Sequence, residues 1–103
     1  MTLVNAPENR LWKGRALALE VQAYAASTVA VRVFVNGRER GTPWPVTNGR
    51  AAGELPPEVF TAKLGEPNCV SLISTDAAGK ALARNYALVW CQEPEKGSVI
   101  LLR

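Results

Sequence analysis

The stretch Val29-Ala30-Val31-Arg32-Val33-Phe34-Val35 constrains this chain more than any other. Valine recurs at every second position, and successive side chains of an extended strand point to opposite faces, so the valines share one face. Branching at Cβ restricts χ1 and suits a pleated surface better than a helix. Asn36-Gly37 follows at once, the pair best suited to a two-residue turn whose central residues both need positive φ. The charged run from Arg38 to Thr42 then returns as a short edge strand. The segment predicts a β-hairpin, and with it a fold made by layering sheets.

The same period of two recurs along the chain. In Leu17-Ala18-Leu19-Glu20-Val21-Gln22-Ala23 the bulky apolar residues alternate, which predicts a strand although Ala, Leu, Glu and Gln all favour helix. Gly41-Thr42-Pro43-Trp44-Pro45 reads as a stop to any strand, since proline cannot donate to a ladder. Asn48-Gly49 marks a turn before a strand from Arg50 to Leu55, which Pro56-Pro57 ends. Val59 to Leu64 is expected to form a further strand with Phe60, Ala62 and Leu64 inward. After the turn Gly65-Glu66-Pro67-Asn68 comes a strand from Cys69 to Thr75, with Val70, Leu72 and Ser74 on one face.

Asp76-Ala77-Ala78-Gly79 closes a tight hairpin, its carboxylate accepting from amides ahead and Gly79 taking the left-handed conformation. Ala81 to Trp90 returns, with Tyr86, Leu88 and Trp90 spaced to share a face, and Ser98 to Leu102 is a last apolar run. About seven strands with turn signals every 8 to 12 residues or so are the pattern of a sandwich. The expected fold is all-β: an immunoglobulin-like antiparallel β-sandwich of about seven strands with an extra C-terminal strand. The whole chain, 1–103, reads as one domain. Its core is residues 15–91, and 92–103 are an added or exchanged strand.

Leu64-Gly65-Glu66-Pro67-Asn68-Cys69-Val70-Ser71-Leu72-Ile73-Ser74-Thr75-Asp76-Ala77-Ala78-Gly79-Lys80 resembles the last hairpin of bacterial immunoglobulin-like domains, where an alternating strand leads into Asp-x-x-Gly and a final strand. Val31 to Gly41, with Val-Asn-Gly at its centre, is similar to their central hairpin. The likeness runs from about Ala16 to Trp90. It implies a sandwich of the kind found in tandem modules of secreted or surface chains, and implies little about function. The antibody arrangement of Cys, Trp and Cys is absent, so no disulfide between the sheets is implied.

Composition narrows the function. With 48% hydrophobic and 20% charged residues, the 103-residue chain can bury a core of its own. No apolar run reaches the roughly 20 residues of a membrane span. The first residues lack the basic start and long apolar stretch of a secretion signal; a virion or cell-surface setting is favoured. The net charge of +3 is scattered among acids, as in Arg38-Glu39-Arg40, which disfavours nucleic acid as a partner.

There is no histidine, the commonest general base and metal ligand at neutral pH. Glu54 with Glu58, and Glu93 with Glu95, lie in proline-rich loops and read as solvated surface. Asp76 reads as a turn cap sooner than a calcium ligand. No enzyme, metal or cofactor is expected. Pairing Asp76 with Lys80 would set Cys69 opposite Ala87, leaving Cys91 about 13 Å further along and both thiols free.

Three features read as contact surface. Trp44 stands between two prolines, although it can instead fold back over the open end of the sandwich. Trp12 lies in an apolar amino-terminal stretch that equally suits the first strand. Val99, Ile100, Leu101 and Leu102 can pair with their own sheet or with a neighbouring subunit. The expected role is a non-enzymatic structural or assembly module, such as a virion (decoration or tail) or filament subunit, whose partner is protein, by self-association or within a larger assembly. The alternative is a carbohydrate-binding or adhesive module of a larger secreted protein, stacking sugar rings on Trp44.

Overall fold

The computed structural model describes residues 1–3, 10–12 and 14–92. Its strands are β1 (Thr2–Leu3), β2 (Arg10–Trp12), β3 (Leu17–Gln22), β4 (Ala30–Val35), β5 (Arg38–Glu39), β6 (Trp44–Pro45), β7 (Arg50–Leu55), β8 (Pro67–Thr75) and β9 (Ala81–Gln92). The smaller sheet has the order β1-β3-β7, and the larger runs β2-β9-β8-β4-β5, with β6 also pairing β4. The expected all-β sandwich is what the chain forms. Every described pairing is antiparallel except β2 with β9, which is parallel. The first two strands thus join different sheets.

Alternation builds the core. Leu17, Leu19 and Val21 of β3 face Val31, Val33 and Val35 of β4 across the interior, together with Ala51, Leu55, Val59, Val70, Leu72 and Val89. Val29 departs from the expected face: its amide donates to the Thr75 carbonyl at 2.9 Å, yet the residue is 45% exposed at the mouth of the strand. Asn36 and Gly37 have φ of 52° and 83°, the two positive values a type I′ turn requires. The Asp76 carboxylate accepts from the amides of Ala78 and Lys80, both at 2.9 Å.

Three expectations are corrected. Val59 to Leu64 is no strand. Pro57 opens a 3₁₀ turn, Pro57–Val59, and the amides of Val59 and Phe60 donate back to Pro56 and Pro57. Val59 alone is buried; Leu64 is 49% exposed. The segment crosses from one sheet to the other and has no neighbouring strand to complete a ladder. Trp44-Pro45 does not stop pairing; it forms β6 opposite Ala30 and Val31. Proline is tolerated there because an edge strand needs donors on one side only. The register of the last hairpin also differs by one, because Leu82 is an extra residue between the pairs Thr75↔Ala81 and Ser74↔Ala83. Cys69 therefore lies opposite Leu88, not Ala87. The bulge also lengthens the return strand, which continues to Gln92.

Candidate functional site

The outward face of the larger sheet is the best-developed surface of the described residues. Because Val33, Val35, Val70, Leu72 and Val89 point inward, their neighbours must point out. One cross-strand row holds Phe34, Ser71 and Tyr86, and the next holds Arg32, Ile73 and Arg84. Cys69 with Leu88, and Pro67 with Trp90, extend the face. Tyr86 is 64% exposed, an aromatic ring left largely in water. Small residues down the middle of the face, Cys69 and Ser71, leave a shallow depression of about 470 Å³, lined also by Ile73, Arg84 and Tyr86.

Electrostatics order one side of it. Arg32 donates from Nε and Nη2 to the two carboxylate oxygens of Glu39, at 2.9 and 2.7 Å, a two-pronged pair across β4 and β5. The Arg32 guanidinium also sits 5.1 Å from the centre of the Phe34 ring. The hydrogen bonds from Arg32 hold the Glu39 carboxyl below the usual carboxylate range, and those to Glu39 hold the guanidinium higher still.

A depressed carboxyl contributes stability above its unfolded pKa, about 4.3 for glutamate, and that contribution is lost as pH falls through the folded value. Glu39→Gln should therefore be slightly less stable than the parent at pH 7, less so in high salt. The two acid-unfolding curves should converge only once the pH has fallen below the depressed folded value. A gap that persists once the carboxylate is protonated would assign the effect to something other than this pair.

The cysteines lie on opposite faces of the larger sheet. Cys69 is outward, in the depression, with its Sγ 3.6 Å from Ser71 Oγ. Cys91 shares the parity of buried Val89 and points inward, where burial pushes its thiol pKa up. Both thiols are free. A small alkylating reagent near neutral pH should modify Cys69 several-fold faster than Cys91, followed by peptide mass spectrometry. Equal rates would argue against this assignment of faces.

A buried polar cluster that sequence reasoning missed underlies one end of the sheet. Asn68 is 0% exposed. Its Oδ1 accepts from Asn36 Nδ2 at 2.9 Å and from the Ala62 amide at 3.0 Å, and its Nδ2 donates to the Val89 carbonyl at 3.3 Å. Asn36 Oδ1 in turn accepts from the Cys69 amide at 2.9 Å. One side chain thus ties the turn after β4, the crossing segment, β8 and β9. The signal was available: Asn68 has the same strand parity as Val70 and Leu72, so it must point inward and must find partners.

Of the residues singled out from the sequence, Asn36, Gly37, Asp76 and Gly79 occupy turns of the larger sheet. Trp44 is half-buried, packs against the core, and lies over Gly53 of β7, joining an edge of one sheet to the other. The backbone of Trp12 pairs with Gln92; its side chain, and Val99, Ile100, Leu101 and Leu102, lie outside the described part of the structure. The structure thus puts the turn residues at the ends of the larger sheet's hairpins, and Trp44 at that sheet's edge, turned inward toward Gly53.

No protein-family model matches the chain, and no curated protein does. Among solved structures, it is similar to the fibronectin(III)-like modules of CbhA from Clostridium thermocellum, with 15% identity and a TM-score of 0.60. The similarity covers 90% of this chain and 96% of that one. At that identity the likeness is one of fold: the chain is an all-β sandwich of the fibronectin III-like, immunoglobulin-like kind.

Proposed function

We propose that the chain is a non-catalytic module that works by holding a partner protein, as a structural part of a larger assembly. The observation that carries this reading is the outward face of the larger sheet, where Phe34, Ile73, Tyr86, Leu88 and Trp90 give apolar surface beside Arg32 and Arg84. Rigid strands hold these side chains in place, so little entropy is lost when a partner covers them. Three of the four buried polar residues described support the reading too, because Asn68, Ser74 and Thr75 hydrogen-bond to neighbouring strands and are spent on holding the sandwich together.

The finer reading, a filament or virion subunit, belongs to the same proposal, with Trp12, the exposed rim of Trp44 and the Val99 to Leu102 run as further contacts. Light scattering of the purified chain across a wide concentration range tests it: growth in mass supports a repeating subunit, and a constant monomer removes it. In-cell photocrosslinking from Tyr86 tests the broader reading. A defined protein adduct is expected, and its absence from every outward position would remove the binding role. The exposed ring of Tyr86 also favours a second reading, stacking of a sugar ring, for which retention on insoluble polysaccharide, abolished by Tyr86→Ser, is the expected sign.

A further inference from the structure

We infer that the outward face of the larger sheet seats a partner whose contacting surface carries an apolar side chain flanked by carboxylates. This rests on the binding role proposed above and specifies its chemistry. The depression beside Tyr86 is open, and its floor of Cys69, Ser71 and Ile73 offers no charge, so it suits an aromatic or branched side chain. Charge flanks it. Arg32 and Arg84 bracket Ile73 in one cross-strand row. Among the described strand residues of this face the one carboxylate is Glu39, and both of its oxygens are engaged by Arg32. Arg84 is exposed, and its side chain makes no hydrogen bond or ion pair among the described residues. The face is thus apolar at its centre, with a positive charge beside the depression that no described residue compensates.

That pattern selects among occupants. A second copy, itself carrying a net charge of +3, would bring Arg84 and Arg32 against the same arginines across a two-fold contact. A partner with carboxylates on either side of its apolar group instead meets Arg84 directly with one of them, and offers the other to the N–H groups of Arg32 that Glu39 does not occupy. Arginine is well suited to this, since its fork matches both oxygens of a carboxylate.

The test is a nuclear magnetic resonance titration of the full chain with acetyl-Glu-Phe-Glu-amide, and with acetyl-Lys-Phe-Lys-amide as its counterpart. The acidic peptide should shift the amides of Ile73, Arg84 and Tyr86 in a saturable way, about fivefold more tightly than the basic one. Arg84→Glu should reverse the preference, and Ser71→Trp, which fills the depression, should abolish both responses. Equal affinities, no saturable response, or shifts confined to other surfaces would overturn the inference. So would broadening of these same amides with protein concentration alone, which would put a second copy on the face. A photocrosslinked partner seated elsewhere would leave the module reading standing while removing this surface from it.

Discussion

Asn68→Ala should cost this sandwich about 3 kcal/mol, enough to lower its melting temperature by roughly 10 to 20 °C. The side chain is completely buried at the start of β8 and serves three other parts of the chain. Truncation leaves the Ala62 amide without its acceptor, the Asn36 amide group with only its 3.4 Å bond to Thr61 Oγ1, and the Val89 carbonyl without its side-chain donor. A buried donor or acceptor left unpaired costs about 1–3 kcal/mol, and these losses are coupled, so the sum is an upper bound. Asn68→Leu restores the volume without the bonds and should remain nearly as unstable. A double-mutant cycle with Asn36→Ala, followed by urea unfolding, should show a coupling of about 1 kcal/mol. Additive losses would mean that the two amides act separately.

The second large effect lies where Trp44 packs over Gly53. A Cβ built on Gly53 would fall within 2.6 Å of three atoms of the Trp44 indole. Gly53→Val should therefore destabilise by about 2–4 kcal/mol, because a ring packed against the core has little room to move. Trp44→Ala alone should also destabilise, through lost packing and the opening of the edge between the sheets. The pair together should cost less than the sum, by about 1 kcal/mol or more, since the smaller side chain makes room for valine. Full additivity in thermal or denaturant unfolding would show that the indole does not limit position 53.

These two sites mark where reading the sequence stopped short. Layers and faces were legible wherever alternation was long, as in Leu17-Leu19-Val21 and Val31-Val33-Val35, because burial on one face enforces a period of two. Turns were legible where a residue type answers a backbone demand, as with Asn36-Gly37 and Asp76. What local pattern could not supply was the neighbour. Val59 to Leu64 alternates well enough for a strand, but a strand exists only beside another. The one-residue shift at Leu82 likewise depends on the whole hairpin. Of the candidate face, the shared side of Tyr86, Leu88 and Trp90 could be read. Its assembly with Phe34, Arg32 and Ile73 could not, because that follows from the order of strands in the sheet.

The parallel pairing of β2 with β9 has a mechanical consequence. If tension enters the chain ahead of β2 and leaves it after β9, the two strands are pulled in opposite directions along their length. Their hydrogen bonds are then loaded side by side and must yield together, as in a lap joint under shear. Were the strands antiparallel, the same pull could open the bonds one after another from an end. A module wired in this way resists stretching better than its few terminal contacts suggest.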